Sequence, residues 1–202
     1  IYRYHQLNEQ YGGYSRIKEG HRDEIYGYVL DDDPAAQELF TKKEQQYLDM
    51  GEGLVDALDW LQEQGFVLEV VSEMKKTLGA VGSDIVSRFL KGRGLTKYFP
   101  VIISPQGKLD TINDVQIDDR YVGKTKEGGD IYDVLAEDLR SRGIEPEEGV
   151  MVGDKPATDI NPAHARGFKT IQYKGFIDLG PSDADLVINH FSELKEVLRK
   201  KD

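Results

Sequence analysis

Cysteine is absent from all 202 positions of the sequence. Disulfide bonds, catalysis by a cysteine thiolate and zinc sites built on cysteine are therefore excluded. The sequence also lacks an apolar run long enough for a membrane-spanning helix, and it shows no recognisable signal peptide. From these absences we expect a cytoplasmic protein without a membrane partner.

Basic residues are fewer than acidic residues. The sequence contains 26 lysine and arginine residues and 37 aspartate and glutamate residues, which gives a formal net charge of −11 at pH 7. A chain with this charge is poorly suited to bind nucleic acid or an anionic membrane, and we expect neither as a partner. The charge is still compatible with a phosphorylated substrate, because a bound metal ion can invert the local field.

The most informative stretch of the sequence spans residues 149–175. Residues 149–153 (GVMVG) form a short apolar run typical of a buried strand, and Asp154 and Asp159 follow it. A short helical stretch then ends near residue 167, and residues 168–173 (FKTIQY) are typical of a second strand. Ligands of open α/β sheets bind beyond the carboxyl ends of the strands, and two carboxylates there suit Mg²⁺. The same two aspartates could instead serve only as a loop turn and a helix cap.

Helices and strands alternate along residues 51–202. Further strands are predicted at residues 66–71, 100–104 and 184–188, and helices at 54–65, 83–90, 130–143 and 194–198. Residues 105–125 are too long for a plain connection, and their spaced glycine, asparagine and aspartate residues predict a β-hairpin or an ordered loop. The alternation predicts an α/β core with a mainly parallel sheet.

The N-terminal part of the sequence, residues 1–50, has a different character. Residues 6–11 and 17–30 are helical in pattern and contain no convincing strand. Asp33-Pro34 predicts the start of a helix over residues 34–50, because aspartate caps a helix and proline suits its first position. We therefore expect a small helical subdomain over residues 1–50 and a separate core over residues 51–202.

Two more positions have the chemistry of an anion site. Ser72 follows the strand at residues 66–71, so its hydroxyl group and the backbone N–H of Glu73 can point at an anion. Lys126 precedes a helix whose N-terminus favours negative charge, and Lys124 is a second candidate. Taken singly, a serine here is more often a turn residue and a lysine more often a solvated one. Together with the two aspartates, they form a clamp for a phosphoryl group.

These motifs resemble those of the haloacid dehalogenase (HAD) superfamily. Its second motif is a strand that ends in threonine or serine, which residues 70–72 (VVS) match. Its third motif is a lysine before a helix, which Lys126 matches within KEGGDIY, without the prolines common in the family. Its fourth motif is GDxxxxD followed by a helix with small residues, which residues 153–167 match. The resemblance covers roughly residues 51–190.

The resemblance implies a Rossmann-like three-layer core, a helical cap and a Mg²⁺-dependent site at the carboxyl edge of the sheet. Most members are phosphatases that act through an aspartyl-phosphate, and a small phosphorylated metabolite is the expected substrate. Asp154 would bind Mg²⁺ directly, and Asp159 would bind it or orient its waters and Lys126. Ser72 and Lys126 would hold the phosphoryl oxygens.

The family's first motif, DxDx(T/V), carries the nucleophile on the central strand, and here the sequence departs from the pattern. Residues 31–35 (DDDPA) fit it superficially, with residues 26–30 as the strand. Asp31 and Asp33 would then serve a complete, capless phosphatase. However, Pro34 favours a helix start, and alanine replaces the expected threonine or valine. We favour the other interpretation, in which residues 1–50 are the cap and the nucleophile strand lies upstream of Ile1, as the absence of an initial methionine suggests.

Three other classes of function are compatible with parts of the pattern. A non-catalytic protein could keep the HAD fold and its acidic residues and bind ligands without turnover. A response-regulator receiver domain is also acidic and binds Mg²⁺, but the late GDxxxxD and the N-terminal helices disfavour it. A dehalogenase of the same superfamily needs no Mg²⁺, so the intact GDxxxxD disfavours that activity. A monomer or a homodimer is expected.

Overall fold

A computed structural model describes residues 27–36, 38–39, 50–72, 85–175 and 178–199 of the chain. The chain divides into two compact units, each built from two segments. The first unit comprises Ile1–Asp49 and Met74–Leu95, and the second comprises Met50–Glu73 and Thr96–Asp202. Among the described residues, no helix has both the length and the apolar character needed to cross a membrane.

The second unit contains seven strands among its described residues, arranged in two sheets. The first sheet has the order β1–β2–β3–β4, with β1 parallel to β2 and the remaining pairs antiparallel. Its strands are β1 Val70–Val71, β2 Val101–Ser104, β3 Gly107–Asp110 and β4 Val115–Asp118. The pair β3–β4 confirms the β-hairpin predicted for residues 105–125. The second sheet is entirely parallel and has the order β5–β6–β7, with β5 Val150–Gly153, β6 Lys169–Tyr173 and β7 Leu186–Ile188.

The α-helices of the described residues include α1 Leu54–Glu63, α2 Ile85–Gly92, α3 Asp130–Ser141, α4 Asn161–His164 and α5 Leu194–Val197. Helix α2 belongs to the first unit. In α1 the buried residues Ala57, Leu58 and Leu61 recur at helical spacing, so one stripe faces the core. Helix α1 ends at Glu63. Two residues later, Gly65 has a positive φ of 81°, which suits glycine and allows the amide of Phe66 to donate to the carbonyl of Leu61.

Two clusters of apolar side chains lie on opposite faces of the second sheet. On one face, Met151 of β5 packs with Phe168 against a cluster that includes Ile131, Tyr132 and Leu135 of α3. On the other face, Val150 and Val152 pack with residues of α1 and α5. Because side chains alternate along a strand, β5 contributes to both clusters. Helices on both faces of a parallel sheet make the three-layer α/β/α core that the resemblance implied.

One prediction about the strands needs correction. The strand expected at residues 66–71 is paired only at Val70–Val71, because among the described residues nothing pairs with the preceding 66–69 segment. The described strands lie in two sheets. The helix expected at residues 83–90 is described as Ile85–Gly92, and the strand expected at 184–188 begins at Leu186.

The described part of the first unit shows the local structure around the acidic triplet. Residues 27–30 are helical, and a turn at residues 31–32 precedes helical residues 34–36. Asp33 Oδ1 accepts a hydrogen bond of 2.9 Å from the amide of Ala35, which confirms the predicted helix start. The strand that the alternative interpretation expects at residues 26–30 is therefore wrong for residues 27–30, which are helical. The predicted helix at residues 6–11 lies outside the described residues, and so do most of the helices predicted at 17–30 and 34–50.

Candidate active site

The two aspartates of the fourth motif meet directly beyond the end of β5. The chain passes from Gly153 through Asp154 into a π-helical turn, Pro156–Ile160, which contains Asp159. Asp159 Oδ2 accepts a hydrogen bond of 3.1 Å from the amide of Lys155. The turn therefore holds the Asp159 carboxylate close to the end of β5. The carboxyl group of Asp159 is close enough to that of Asp154 to raise its pKa. Asp159, five residues after Asp154, thus lies beside it at the end of β5.

The close approach of the Asp159 side chain to the end of β5 requires glycine at position 153. A Cβ atom at residue 153 would lie 2.6 Å from Oδ2 of Asp159 and would collide with its Cβ atom. The constraint is close approach of backbone to side chain, because Gly153 is not among the glycines with positive φ. The glycine of the GDxxxxD motif therefore makes room for the second aspartate.

Lys126 is brought to the same point from a different element. Its Nζ atom lies 2.6 Å from Oδ1 of Asp159, and the two side chains are only 8% and 7% exposed. Oδ1 of Asp159 also accepts a hydrogen bond of 3.2 Å from the hydroxyl group of Thr158. An ion pair with this degree of burial is stable only if its members are further hydrogen-bonded, as Asp159 is here.

The loop before α3 explains why Lys126, and not Lys124, faces the aspartates. Oδ1 of Asp130 accepts a hydrogen bond of 2.7 Å from the amide of Thr125, and the amide of Gly129 donates to the carbonyl of Lys126. These bonds fold residues 125–130 into a compact turn at the N-terminus of α3. Lys124 instead lies 3.8 Å from Asp130, and its side chain is 39% exposed.

Tyr132 is a part of the site that the sequence analysis did not single out. Its hydroxyl group donates to the carbonyl of Thr158 at 2.9 Å and lies 3.3 Å from the carbonyl of Asp159, and its side chain is fully buried. Since Tyr132 is on the first turn of α3, it ties the helix that follows Lys126 to the turn that holds Asp159. The sequence feature that could have identified Tyr132 is its position as the aromatic residue at the end of the KEGGDIY motif.

The environment moves the pKa values of the two aspartates in opposite directions. Burial raises the pKa of Asp154, and the neighbouring carboxylate of Asp159 raises it further. Burial also tends to raise the pKa of Asp159, but the ammonium group of Lys126 and the Lys155 and Thr158 donors outweigh it, so the pKa lies below its usual value. Lys126 therefore stabilises one carboxylate and leaves the other with excess negative charge.

The other two candidate residues for binding phosphate are Ser72 and Glu73. Ser72 follows β1, is half-buried, and donates its amide to the carbonyl of Ile103 at 2.8 Å. Glu73 lies outside the described residues. The contacts of the structure thus bring Lys126, Asp154 and Asp159 together, while Ser72 lies at the carboxyl end of a strand in the other sheet.

The donor set fits a small divalent cation. Mg²⁺ is commonly bound through one or two carboxylates and keeps several waters, and the neighbouring carboxyl groups of Asp154 and Asp159 supply such a pair. Within the described ranges, no group of three or more aspartate, glutamate or histidine side chains could hold a metal ion. A Mg²⁺ ion at this point would therefore take its other ligands from water, from substrate or from residues outside those ranges.

Comparison with known proteins supports the interpretation reached from these motifs. Residues 125–194, which contain Lys126, Asp154 and Asp159, match the HAD-hydrolase-like family model. This segment is therefore similar to HAD-like hydrolases. No curated protein matches the chain at a significant level.

Solved structures extend the likeness to the fold of nearly the whole chain. A HAD phosphatase from Thermococcus onnurineus is 24% identical and has a TM-score of 0.59, with 98% of this chain and 86% of that chain covered. The magnesium-bound HAD-hydrolase YfnB from Bacillus subtilis is 19% identical, with a TM-score of 0.62 and coverage of 98% and 81%. A 2-haloacid dehalogenase from Pseudomonas syringae is 22% identical, with a TM-score of 0.53 and coverage of 90% and 71%. These likenesses establish the HAD Rossmann-like fold.

Proposed function

We propose that the protein is a Mg²⁺-dependent phosphatase that acts on a small phosphorylated metabolite. The observation that carries this proposal is the buried ion pair between Lys126 and Asp159 beside Asp154, beyond the carboxyl end of β5. A fixed cation next to a carboxylate pair suits a phosphoryl group, whose transfer depends mainly on positioning and on stabilisation of charge. The Thermococcus onnurineus phosphatase shares this fold, which supports the same class of reaction.

Each residue has a distinct proposed role. Asp154 would hold the Mg²⁺ ion, which when bound would neutralise charge on the phosphoryl oxygens. Asp159 orients the Nζ atom of Lys126 through its 2.6 Å contact. Lys126 would donate to one phosphoryl oxygen, while the hydroxyl group of Ser72 and the amide of Glu73 would donate to others. The nucleophile would be an aspartate outside the described residues, and it would form an aspartyl-phosphate that water then hydrolyses.

Two rival functions are distinguished by one set of assays. A non-catalytic HAD-fold protein would bind Mg²⁺ or phosphate without turnover, and the lack of a third acidic group in the described ranges favours it over a complete site in this chain. A dehalogenase, the activity named for the Pseudomonas syringae structure, would release halide without needing Mg²⁺. The carboxylate pair of Asp154 and Asp159 is the feature that favours the metal-dependent reaction.

The test uses the full-length natural protein, with para-nitrophenyl phosphate as the probe. We expect turnover that requires Mg²⁺ and that falls about 100- to 1000-fold in Asp154→Asn and in Lys126→Ala, the usual cost of one charge-stabilising group. Lys124→Ala is the matched control, since Lys124 lies on the same loop but faces Asp130. If turnover persists in Asp154→Asn, or if Lys124→Ala is the more damaging change, the assignment is wrong. Binding of Mn²⁺ without any turnover would favour the non-catalytic protein.

A further inference from the structure

The side chain of Arg166 is fixed at three points close to the candidate active site. Arg166 lies two residues after α4, and its Nε and Nη2 atoms donate to the two carboxylate oxygens of Asp133, at 2.8 and 3.1 Å. Its Nη1 atom donates to the carbonyl of Pro162 in α4 at 3.0 Å. All three nitrogen atoms of the guanidinium group are therefore engaged, and the side chain is only 25% exposed.

This geometry differs from that of an ordinary surface ion pair. Exposed pairs contribute little, because two flexible side chains must be held in one geometry. A guanidinium group that binds a carboxylate through two parallel hydrogen bonds is fixed in orientation as well as in distance. The third bond, to Pro162, holds the arginine against its own segment. Since Asp133 is on the first turn of α3, Arg166 links the start of α3 to α4 in one defined arrangement.

The guanidinium group of Arg166 also lies against the backbone of the loop before α3. A Cβ atom at residue 129 would lie 2.5 Å from the central carbon of this group, so Gly129 leaves the space that Arg166 fills. The positive φ of 77° at Gly129 also favours glycine. Its amide donates to the carbonyl of Lys126 at 3.1 Å, and its carbonyl accepts from the amide of Tyr132 at 3.0 Å. Arg166 therefore contacts the residue that joins the turn of Lys126 to α3.

The position of the Lys126 ammonium group depends on this loop. A lysine side chain is a flexible stem, so the contact with Asp159 fixes the Nζ atom well only if the backbone of the loop is held in place. The hydroxyl group of Tyr132 already ties the first turn of α3 to the turn that contains Asp159. Arg166 provides a second tie through Asp133, the next residue of the helix. Neighbouring side chains of a helix point about 100° apart, so the two ties restrain the start of α3 in two directions.

We infer that Arg166 is a positioning residue, which holds the loop before α3 so that the ammonium group of Lys126 meets Asp159 at the place of the phosphoryl group. Arg166 does not touch the substrate and acts through Gly129 and Asp133. Its effect on turnover rests on the function proposed above, whereas its effect on the position of Lys126 does not. Lysine at position 166 would keep the charge but could not make the two parallel bonds to Asp133. Arg166→Lys should therefore fail to restore what Arg166→Met loses.

Heteronuclear NMR of the lysine side chains in the full-length natural protein tests the position of Lys126 without substrate. The burial and the ion pair of Lys126 slow the exchange of its ammonium protons, so the unmodified protein should give a signal that Lys126→Met lacks. In Arg166→Met and in Asp133→Asn this signal should be lost, or its protons should exchange at least about 10-fold faster. Arg140→Met is the matched control, because Arg140 lies 3.5 Å from Glu145 near the other end of α3 and is 53% exposed. It should leave the Lys126 signal unchanged.

Steady-state kinetics with para-nitrophenyl phosphate test the consequence for the reaction. The value of kcat/KM should fall about 10- to 100-fold in Arg166→Met, as expected when a charge-stabilising group is displaced, and Arg166→Lys should recover little of this loss. Addition of Asp133→Asn to Arg166→Met should cause no further loss, because both changes break the same link. The Mg²⁺ concentration that gives half-maximal turnover should stay the same, since the three bonds of Arg166 do not involve Asp154. Arg140→Met should have the turnover of the unmodified protein.

The two measurements separate this inference from the proposed function. A Lys126 signal that is unchanged in both Arg166→Met and Asp133→Asn would overturn the inference, and so would full recovery of the signal in Arg166→Lys. A lower urea midpoint with an unchanged Lys126 signal would mean that Arg166 only stabilises the fold, which also overturns it. If the unmodified protein hydrolyses no phosphate ester, the proposed function fails. Loss of the Lys126 signal in the two variants would then still support the placement of Lys126 by Arg166.

Discussion

Removal of the Lys126 ammonium group should destabilise the protein more than removal of any exposed lysine. In Lys126→Met the apolar part of the side chain is kept, but Asp159 remains as a buried charge without its partner at 2.6 Å. Breaking a buried ion pair in this way typically costs about 3–5 kcal/mol. Lys124→Met is the matched control, because its ion pair with Asp130 is 3.8 Å long and its two side chains are 39% and 41% exposed. Exposed pairs of this kind contribute about 0.2–1 kcal/mol.

The same substitution should change the pH dependence of stability. In the unmodified protein the pKa of Asp159 is depressed, so its contribution is present above the unfolded-state pKa and is lost as the pH falls through the folded-state pKa. Without Lys126, the largest cause that lowers the pKa of Asp159 is removed, so burial should raise its folded-state pKa relative to the unmodified protein. A carboxyl group with a raised pKa favours folding as the pH falls. The loss in free energy of unfolding that Lys126→Met causes should therefore be largest at neutral pH and should decrease towards pH 5.

Urea unfolding followed by tryptophan fluorescence measures both effects. The chain contains one tryptophan, Trp60, which lies in α1 within the second unit and packs near Phe66, so the signal reports on the unit that holds the site. Titrations at pH 5 and pH 7.5 are done with a chelator present, so that no cation compensates the carboxylates. Addition of Asp159→Asn to Lys126→Met removes the unpaired charge and should recover most of the lost stability. A penalty equal to that of Lys124→Met, or one that does not change with pH, would refute the reasoning.

Two smaller changes probe the scaffold of the site. Tyr132→Phe keeps the buried ring but leaves the carbonyls of Thr158 and Asp159 without the hydroxyl donor. It should therefore lower the free energy of unfolding by about 1–2 kcal/mol and reduce Mg²⁺-dependent turnover. An unchanged urea midpoint would contradict this role. Gly153→Ala places a methyl group against the side chain of Asp159 and should cost about 1–3 kcal/mol in urea unfolding, and the reasoning fails if alanine is tolerated without loss.

The features that sequence reasoning predicted correctly are those that depend on neighbours along the chain. Asp33 caps its helix through Ala35, two residues away, and Gly65 ends α1 with a local hydrogen bond. The strand, turn, helix and strand of residues 149–173 follow from local apolar patterning in the same way. Lys126 was chosen over Lys124 from its spacing to the following helix, and the contacts of the two lysines agree with that choice.

The features that were missed depend on contacts between distant segments. The sequence FVLEVV has the composition of a six-residue strand, yet only Val70–Val71 is paired, since pairing requires a neighbour that composition cannot supply. The hydroxyl group of Tyr132 contacts carbonyls 26 and 27 residues further along the chain, which no local pattern encodes. The division of the strands into two sheets likewise becomes visible only in three dimensions.

The two aspartates lie in unequal environments, and this difference supports the proposed binding of a cation. Lys126 already offsets the charge of Asp159 and fixes its position, while burial and the neighbouring carboxylate hold the pKa of Asp154 above its usual value. A second fixed lysine would have neutralised the pair and left little attraction for a metal ion. With a single buried lysine, the pair retains negative charge at Asp154, next to a cationic group already in place. A phosphoryl group brought between them would meet positive charge from Lys126 on one side and from a metal ion held by Asp154 on the other.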